Sequence, residues 1–255
     1  LREPGYRPPV DLTGRGEPLM NPDTPGMARY ASERGLAVSF STNATQLGED
    51  RRAALLDAGL EILIVSLDGA SAETYERHRI GASFADVTRN IAAFCRERAD
   101  RNLRRPYIDL QCIVTRGNEG ELAAIAELAA RLRVDGVSLK SLRIPRMDRS
   151  AAETAAIAEA FLPADARFCR YARCPGEDGV STYVPRRIPR TCSWADCAVI
   201  RWNGDLGICC EDYASSVILG NVFAEDFWSL WHSAAYRLAR ETIRRRGYPA
   251  CATGE

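Results

Sequence analysis

The chain alternates strand and helix patterns in a regular order, and that alternation restricts it to a parallel sheet, open or barrel-like, with helices outside. Val10–Thr13, Ala37–Ser41, Glu61–Leu67, Tyr107–Thr115 and Val137–Leu142 read as strands. The helix after the first strand takes Thr24 as N-cap and Pro25 as its first residue, and Gly35 closes it. Glu49–Ala58 is a second helix stopped by Gly59, and Ser71 caps a short third one ending near Arg79. Phe84, Val87, Ile91 and Phe94, then Leu122, Ile125, Ala129 and Leu132, recur at helical spacing. Glu61–Leu67 is mostly apolar, as expected of a strand buried on both faces. The first three strands end in small or polar residues: Gly14-Arg15-Gly16-Glu17-Pro18, Ser41-Thr42-Asn43 and Ser66-Leu67-Asp68-Gly69. Parallel strands put their C-terminal ends on one face, so these stretches line a single site.

The pattern changes near residue 145, which places a boundary between a domain over 1–150 and a smaller one over 151–255. Ala151–Leu162 is one more helix, followed by an irregular stretch rich in Pro, Gly and Cys. Ala198–Trp202 and Gly207–Glu211 read as a hairpin turning at Asn203-Gly204. Phe227, Leu230, Trp231, Ala234 and Leu238 mark one final amphipathic helix. At 255 residues the chain is long enough to bury a sizeable core.

Formal net charge is zero, which argues against a general affinity for nucleic acid or for an anionic membrane. Lys140 is the only lysine. No apolar run approaches the roughly 20 residues of a membrane span, and no export signal is visible, so the expected location is cytoplasmic. Of nine cysteines, Cys95 and Cys112 lie within regular patterns and read as core. Cys169, Cys174, Cys192, Cys197, Cys209, Cys210 and Cys251 crowd the remainder, which favours metal or redox chemistry over a disulfide framework. Cys169 and Cys174 are nonspecifically spaced and also suit a structural zinc. His78 and His232 have no catalytic partner at a telling spacing and read as structural, and Phe227, Trp228 and Trp231 read as core.

Alone, Glu17 is an exposed acid on a turn, and Asn43 and Asp68 are turn or capping residues. Together, in this order, they resemble the SAM-binding core of the radical S-adenosyl-L-methionine (SAM) superfamily over roughly residues 10–142. In that family a Gly-Gly-Glu-Pro motif holds the amino group of SAM, so the resemblance gives this role to Gly16, Glu17 and Pro18. Asn43, with Thr42 beside it, resembles the element near the ribose. Ser66, in Ser66-Leu67-Asp68-Gly69, and Arg79, in Tyr75-Glu76-Arg77-His78-Arg79, resemble the pair that holds the SAM carboxylate, and Asp68 joins this cofactor-binding set. A zwitterionic amino acid needs such a division, an anion for its ammonium and a cation or hydroxyl for its carboxylate.

Cys192, Gly204 and Cys209 spell Cys-x11-Gly-x4-Cys, which resembles the opening of a SPASM or twitch domain. Cys209-Cys210-Glu211-Asp212, Gly220-Asn221, Trp231-His232-Ser233 and Pro249-Ala250-Cys251 extend that likeness. Such domains hold auxiliary 4Fe–4S clusters on Cys thiolates, here Cys192, Cys209 and Cys251, and the fourth ligand stays open between Cys210, Cys197, a residue further downstream and substrate. Gly254 stands where the family usually has another cysteine. The fold implied is a partial (β/α)6-type TIM-like barrel with a small cysteine-rich SPASM/twitch domain containing a β-hairpin and helix.

The family's Cys-x3-Cys-x2-Cys loop, which holds the SAM-binding 4Fe–4S cluster, is absent from these residues and is expected upstream of Leu1. The activity implied is reductive cleavage of SAM to a 5′-deoxyadenosyl radical that takes a hydrogen atom from a peptide side chain or a small sugar-like molecule. The electron donor implied is a flavodoxin or ferredoxin. The rival reading is a degenerate relative, a binding module with structural metal at the C-terminal cysteines.

Overall fold

The structure, a computed structural model, describes residues 7–144, 149–176, 181–187, 192–210, 212 and 215–245. The chain forms two compact units, Leu1–Leu142 with Glu159–Cys169, and Arg143–Ala158 with Arg170–Glu255.

In the first unit, β1 (Val10–Asp11), β2 (Val38–Thr42), β3 (Ile62–Ser66), β4 (Tyr107–Val114) and β5 (Gly136–Ser141) form one wholly parallel sheet in sequence order. The crossovers are α1 (Thr24–Ser32), α2 (Glu49–Asp57), α3 (Ala72–His78), α4 (Phe84–Asp100) and α5 (Leu122–Leu132). Side chains alternate across a strand, so each strand presents two different faces. One face is the core: Val38, Phe40, Leu63, Val65, Ile108, Leu110 and Cys112 pack with Leu55, Tyr75, Ile91, Phe94 and Ile125 from the helices. The other is partly open and largely polar. Strand register aligns Ser41, Ile64, Asp109 and Gly136 in one row, Ser66, Gln111 and Ser138 in the next, and Ile113 with Lys140 beyond them.

One helix start differs from expectation. Thr24 is the first residue of α1 rather than its cap, and its hydroxyl donates to the Pro18 carbonyl at 2.7 Å. That bond ties α1 to the turn after β1, so the hydroxyl is spent on tertiary structure instead of the helix end. Cys95 and Cys112 are buried in this core, as their positions within regular elements imply.

The chain passes between the units at three places, after Leu142, after Ala158 within α6 (Ala151–Phe161), and after Cys169. In the second unit, β6 (Tyr171–Cys174) and β7 (Thr182–Pro185) form an antiparallel pair in the stretch expected to be irregular. Neither strand alternates cleanly, and Pro185 ends the second, so periodicity did not reveal them. The expected hairpin is present but shorter: β8 (Val199–Ile200) pairs with β9 (Leu206–Gly207), and Gly204 takes a φ of 84° in the connection. That left-handed backbone suits glycine. The single final helix is two, α7 (Phe227–Trp231) and α8 (Ala234–Arg244). Ser233 separates them, its Oγ accepting from the Tyr236 amide at 3.1 Å as an N-cap. Restarting there brings Tyr236, Ala239 and Ile243 inward and leaves Leu238, expected on the apolar stripe, 66% exposed.

Candidate functional site

The turn after β1 is built to present Glu17. Gly16 has a φ of 85°, and a Cβ added at Gly14 or Gly16 would meet nothing within 4 Å, so the turn is an open cradle. Glu17 caps the short 3₁₀ turn Pro18–Met20, accepting from the Leu19 amide at 3.1 Å. Its same oxygen, Oε1, accepts from Thr42 Oγ1 at 2.6 Å, and Oε2 accepts from the Asn43 amide at 2.7 Å. Thr42 is buried and its hydroxyl also accepts from Ala44 N, while Asn43 Oδ1 accepts from both Thr45 N and Thr45 Oγ1. These bonds join the β1 turn to the end of β2. An ionised carboxylate has about four acceptor positions, and neutral donors take three here. No cation among the described residues pairs with Glu17, so the group can receive an ammonium. Ser41 Oγ and Ser66 Oγ, 3.4 Å apart, carry the polar edge across to β3.

A second cluster follows β3. Asp68 is buried, and Oδ2 takes Arg79 Nε at 2.8 Å and Arg79 Nη2 at 2.5 Å. Its Oδ1 accepts from the Ile113 amide at 2.8 Å. Asn118, fully buried, donates through Nδ2 to the carbonyls of Asp68 and Ile113, and its Oδ1 accepts from Thr115 N. Arg79 is the C-cap of α3, with its side chain 31% exposed. Its Nη1 makes no hydrogen bond among the described residues, which leaves an edge able to take a carboxylate. The structure brings the expected Asp68 and Arg79 together just beyond Ser66 at the end of β3, and adds two residues the sequence reading did not single out, Asn118 and, three positions on, Glu121. Thr115-Arg116-Gly117-Asn118 repeats the small polar ending of the earlier strands, a signal for Asn118 that was present in the sequence.

Glu121 fixes the same loop from the other side. It accepts from Ala70 N at 2.8 Å, Ser71 Oγ at 3.2 Å and Thr74 Oγ1 at 2.5 Å. Burial pushes its carboxyl up, and those three bonds, led by Thr74, overcome this and hold it below its usual value. A depressed folded pKa adds stability that is present above the unfolded value, about 4.3, and lost as pH falls through the folded one. Glu121→Gln is therefore expected to shrink the loss of stability below about pH 4, measured by denaturant melts across that range. An unchanged acid limb would show that this carboxylate does not hold the loop.

His78 lies 3.4 Å from Thr115 Oγ1 and tilts against Phe161, and His232 stacks on Trp228, a structural setting for both.

In the second unit, Cys209 is buried among Leu206, Ile208, Leu230, Tyr236 and Ile243, with Cys192 half-buried against the same cluster. Tyr236 Oη donates to the carbonyls of Cys197 and Gly207 at 3.2 and 3.4 Å, tying the segment after Cys192 to the strand before Cys209. Asp212 accepts from Ser216 N, Ser216 Oγ and Val217 N at 2.6–3.0 Å, fixing itself to the segment that begins there. Burial pushes the Asp212 carboxyl up, but the Ser216 and Val217 donors outweigh it and hold it low. Among the described residues no three Cys, His, Asp or Glu side chains converge as a metal site. Cys251 lies outside the described residues. No helix among the described residues is long and apolar enough to cross a membrane.

Residues 10–128 match the model of the radical SAM superfamily, and residues 192–253 match that of the SPASM iron–sulfur cluster-binding domain. Over 93% of its length the chain is 25% identical to the tungsten-containing aldehyde ferredoxin oxidoreductase cofactor-modifying protein of Pyrococcus furiosus, spanning 71% of that protein. It is 30% identical over 134 residues to the PqqA peptide cyclase of Rhizobium meliloti, covering 52% of this chain and 34% of the cyclase. The structure of Streptococcus suis SuiB bound to S-adenosylmethionine superposes with a TM-score of 0.59 at 13% identity, over 88% of this chain and 55% of SuiB, a likeness of fold. The expected α/β architecture with TIM-like radical SAM neighbours and a C-terminal SPASM region is the one found. The first domain implies SAM and a 4Fe–4S cluster as cofactors, the second auxiliary iron–sulfur clusters. The chain carries a radical SAM domain over residues 10–128 and a SPASM domain over residues 192–253.

Proposed function

We propose that this protein takes a hydrogen atom from a peptide substrate, using SAM held at the ends of β1–β3 and an auxiliary 4Fe–4S cluster in the SPASM region. When bound, SAM and its reduced cluster supply the 5′-deoxyadenosyl radical. The protein's task is to hold the cofactor in one pose. The observation that carries this reading is Glu17, a carboxylate oriented by three neutral donors and paired with no described cation. Glu17 would take the SAM ammonium in the open cradle formed by Gly16 and Pro18. Thr42 and Asn43 border the ribose, and Ser66 and Arg79 take the carboxylate. In the SPASM region, the thiols of Cys192, Cys209 and Cys210, with Cys251, supply the soft donors an iron–sulfur cluster needs. A flavodoxin or ferredoxin supplies the electron.

The peptide assignment draws support from the similarity to a peptide cyclase and from the open sheet face. Asp109, Gln111, Ser138 and Lys140 lie on the same open face as Ser41 and Ser66, offering both charges and an amide to a polar chain. Anaerobic, reduced holoenzyme given SAM and fully deuterated peptides from a protein digest is expected to release deuterated 5′-deoxyadenosine. No 5′-deoxyadenosine at all would overturn the enzyme reading. Deuterium transferred only from deuterated sugars would move the substrate to the small-molecule class.

A further inference from the structure

We propose that Asp68 is a positioning residue: it does not touch SAM but fixes Arg79 so that one edge of the guanidinium is committed to the protein and the other is held for a carboxylate. This rests on the SAM placement above and deepens it. Arginine has two edges that can take an oxygen pair, Nε with Nη2 and Nη1 with Nη2, in a rigid plane. Here Nε and Nη2 both converge on Asp68 Oδ2, at 2.8 and 2.5 Å. Asp68 cannot turn toward a ligand, because Oδ1 is occupied by Ile113 N at 2.8 Å and its own carbonyl by Asn118 Nδ2 at 3.0 Å. Both of its oxygens thus face protein donors, in a buried position where breaking one of these bonds is costly. The guanidinium plane is thereby set by groups drawn from three places in the chain, the β3 end, β4 and the loop before α5.

Two effects oppose each other. Asp68 neutralises part of the Arg79 charge and so weakens its pull on an anion; it also removes the freedom of a long side chain. Arg79 is about a third exposed, where Coulomb attraction is screened. A bidentate bond depends steeply on the angle at which the plane is held. Orientation therefore outweighs the lost charge, and removing Asp68 weakens carboxylate binding.

The test compares SAM with decarboxylated SAM, which lacks the group Arg79 would read, by binding to the cluster-loaded holoenzyme. Asp68→Asn and Arg79→Gln are each expected to weaken SAM about tenfold, the loss of one charge-assisted bond, and to leave decarboxylated SAM unchanged. The double variant should do no worse than Arg79→Gln alone, because Asp68 acts through Arg79. If Arg79→Gln leaves the preference for SAM intact, the placement of SAM itself is wrong. If Arg79→Gln abolishes the preference and Asp68→Asn does not, or tightens SAM binding, Asp68 is no positioner. Equal loss of both ligands in Asp68→Asn makes it merely structural. Should Asp68→Asn fail to fold, Arg79→Lys decides: it keeps the charge but has no second edge. A SAM preference undiminished in Arg79→Lys would overturn the proposal.

Discussion

Replacing Cys209 with serine is expected to remove about four irons and their sulfides from each cluster-loaded chain, the content of one 4Fe–4S centre. Cys209 is 8% exposed and surrounded by Leu206, Ile208, Leu230, Tyr236 and Ile243. A thiolate so enclosed is unfavourable by itself and becomes favourable once a metal compensates the charge. Serine nearly preserves the volume but presents a harder, less acidic donor, so the packing survives while the ligand is lost. The control is Cys95→Ser. Cys95 is also buried, and burial pushes its thiol up to about 11, which disfavours the thiolate that metal binding needs. Iron should be unaffected there. Iron and sulfide analysis on matched preparations, with the absorption of the charge-transfer region, reads the difference. Full iron in Cys209→Ser would mean that the cluster is held by other thiols and that Cys209 is only a core residue.

The two parts of the candidate site were unequally legible. Apolar runs ending in Gly16-Glu17, Thr42-Asn43 and Ser66-Leu67-Asp68 advertise strand ends, because small polar residues there have no role in a core. What the partners do is set by contacts distant in sequence. Asp68 reads as one more polar strand end until the fold brings Arg79, 11 positions on, and Ile113, 45 positions on, to its two oxygens. Glu121 reaches back 47 positions to Thr74 and 51 to Ala70, and nothing in its local pattern distinguishes it from any acid at a helix start. The break between α7 and α8 had a local cause, Ser233 as a cap, hidden because the aromatic and alanine spacing continues across it. For Cys251, spacing relative to Cys192 and Cys209 remains the ground for grouping it with them.

Glu17→Gln is expected to weaken SAM binding by on the order of ten- to a hundredfold in the holoenzyme, at about 1.4 kcal/mol per decade. The substitution keeps the shape and removes the charge that the ammonium would meet, a loss of roughly 1.5–3 kcal/mol for a charge-assisted bond. The local geometry adds a second cost. Oε1 serves Thr42 Oγ1 and Leu19 N, and Oε2 serves Asn43 N. An amide offers one oxygen and two N–H donors. Whichever way it turns, its NH₂ faces a backbone N–H, either that of Asn43 or that of Leu19, and one donor loses its acceptor. The cradle therefore loosens as well as losing charge, and a drop in melting temperature should accompany the drop in affinity. Thr42→Val separates the two contributions: it removes one donor from Oε1 but keeps the carboxyl group itself, so SAM binding should fall less than in Glu17→Gln. Ser66→Ala, which deletes a neutral hydroxyl beside Ser41, should cost less again. Iron content should be the same in all three, since none of these side chains is a thiolate ligand. SAM affinity in Glu17→Gln equal to that of the unaltered protein would reduce the β1 turn to a structural loop, with the ammonium held elsewhere.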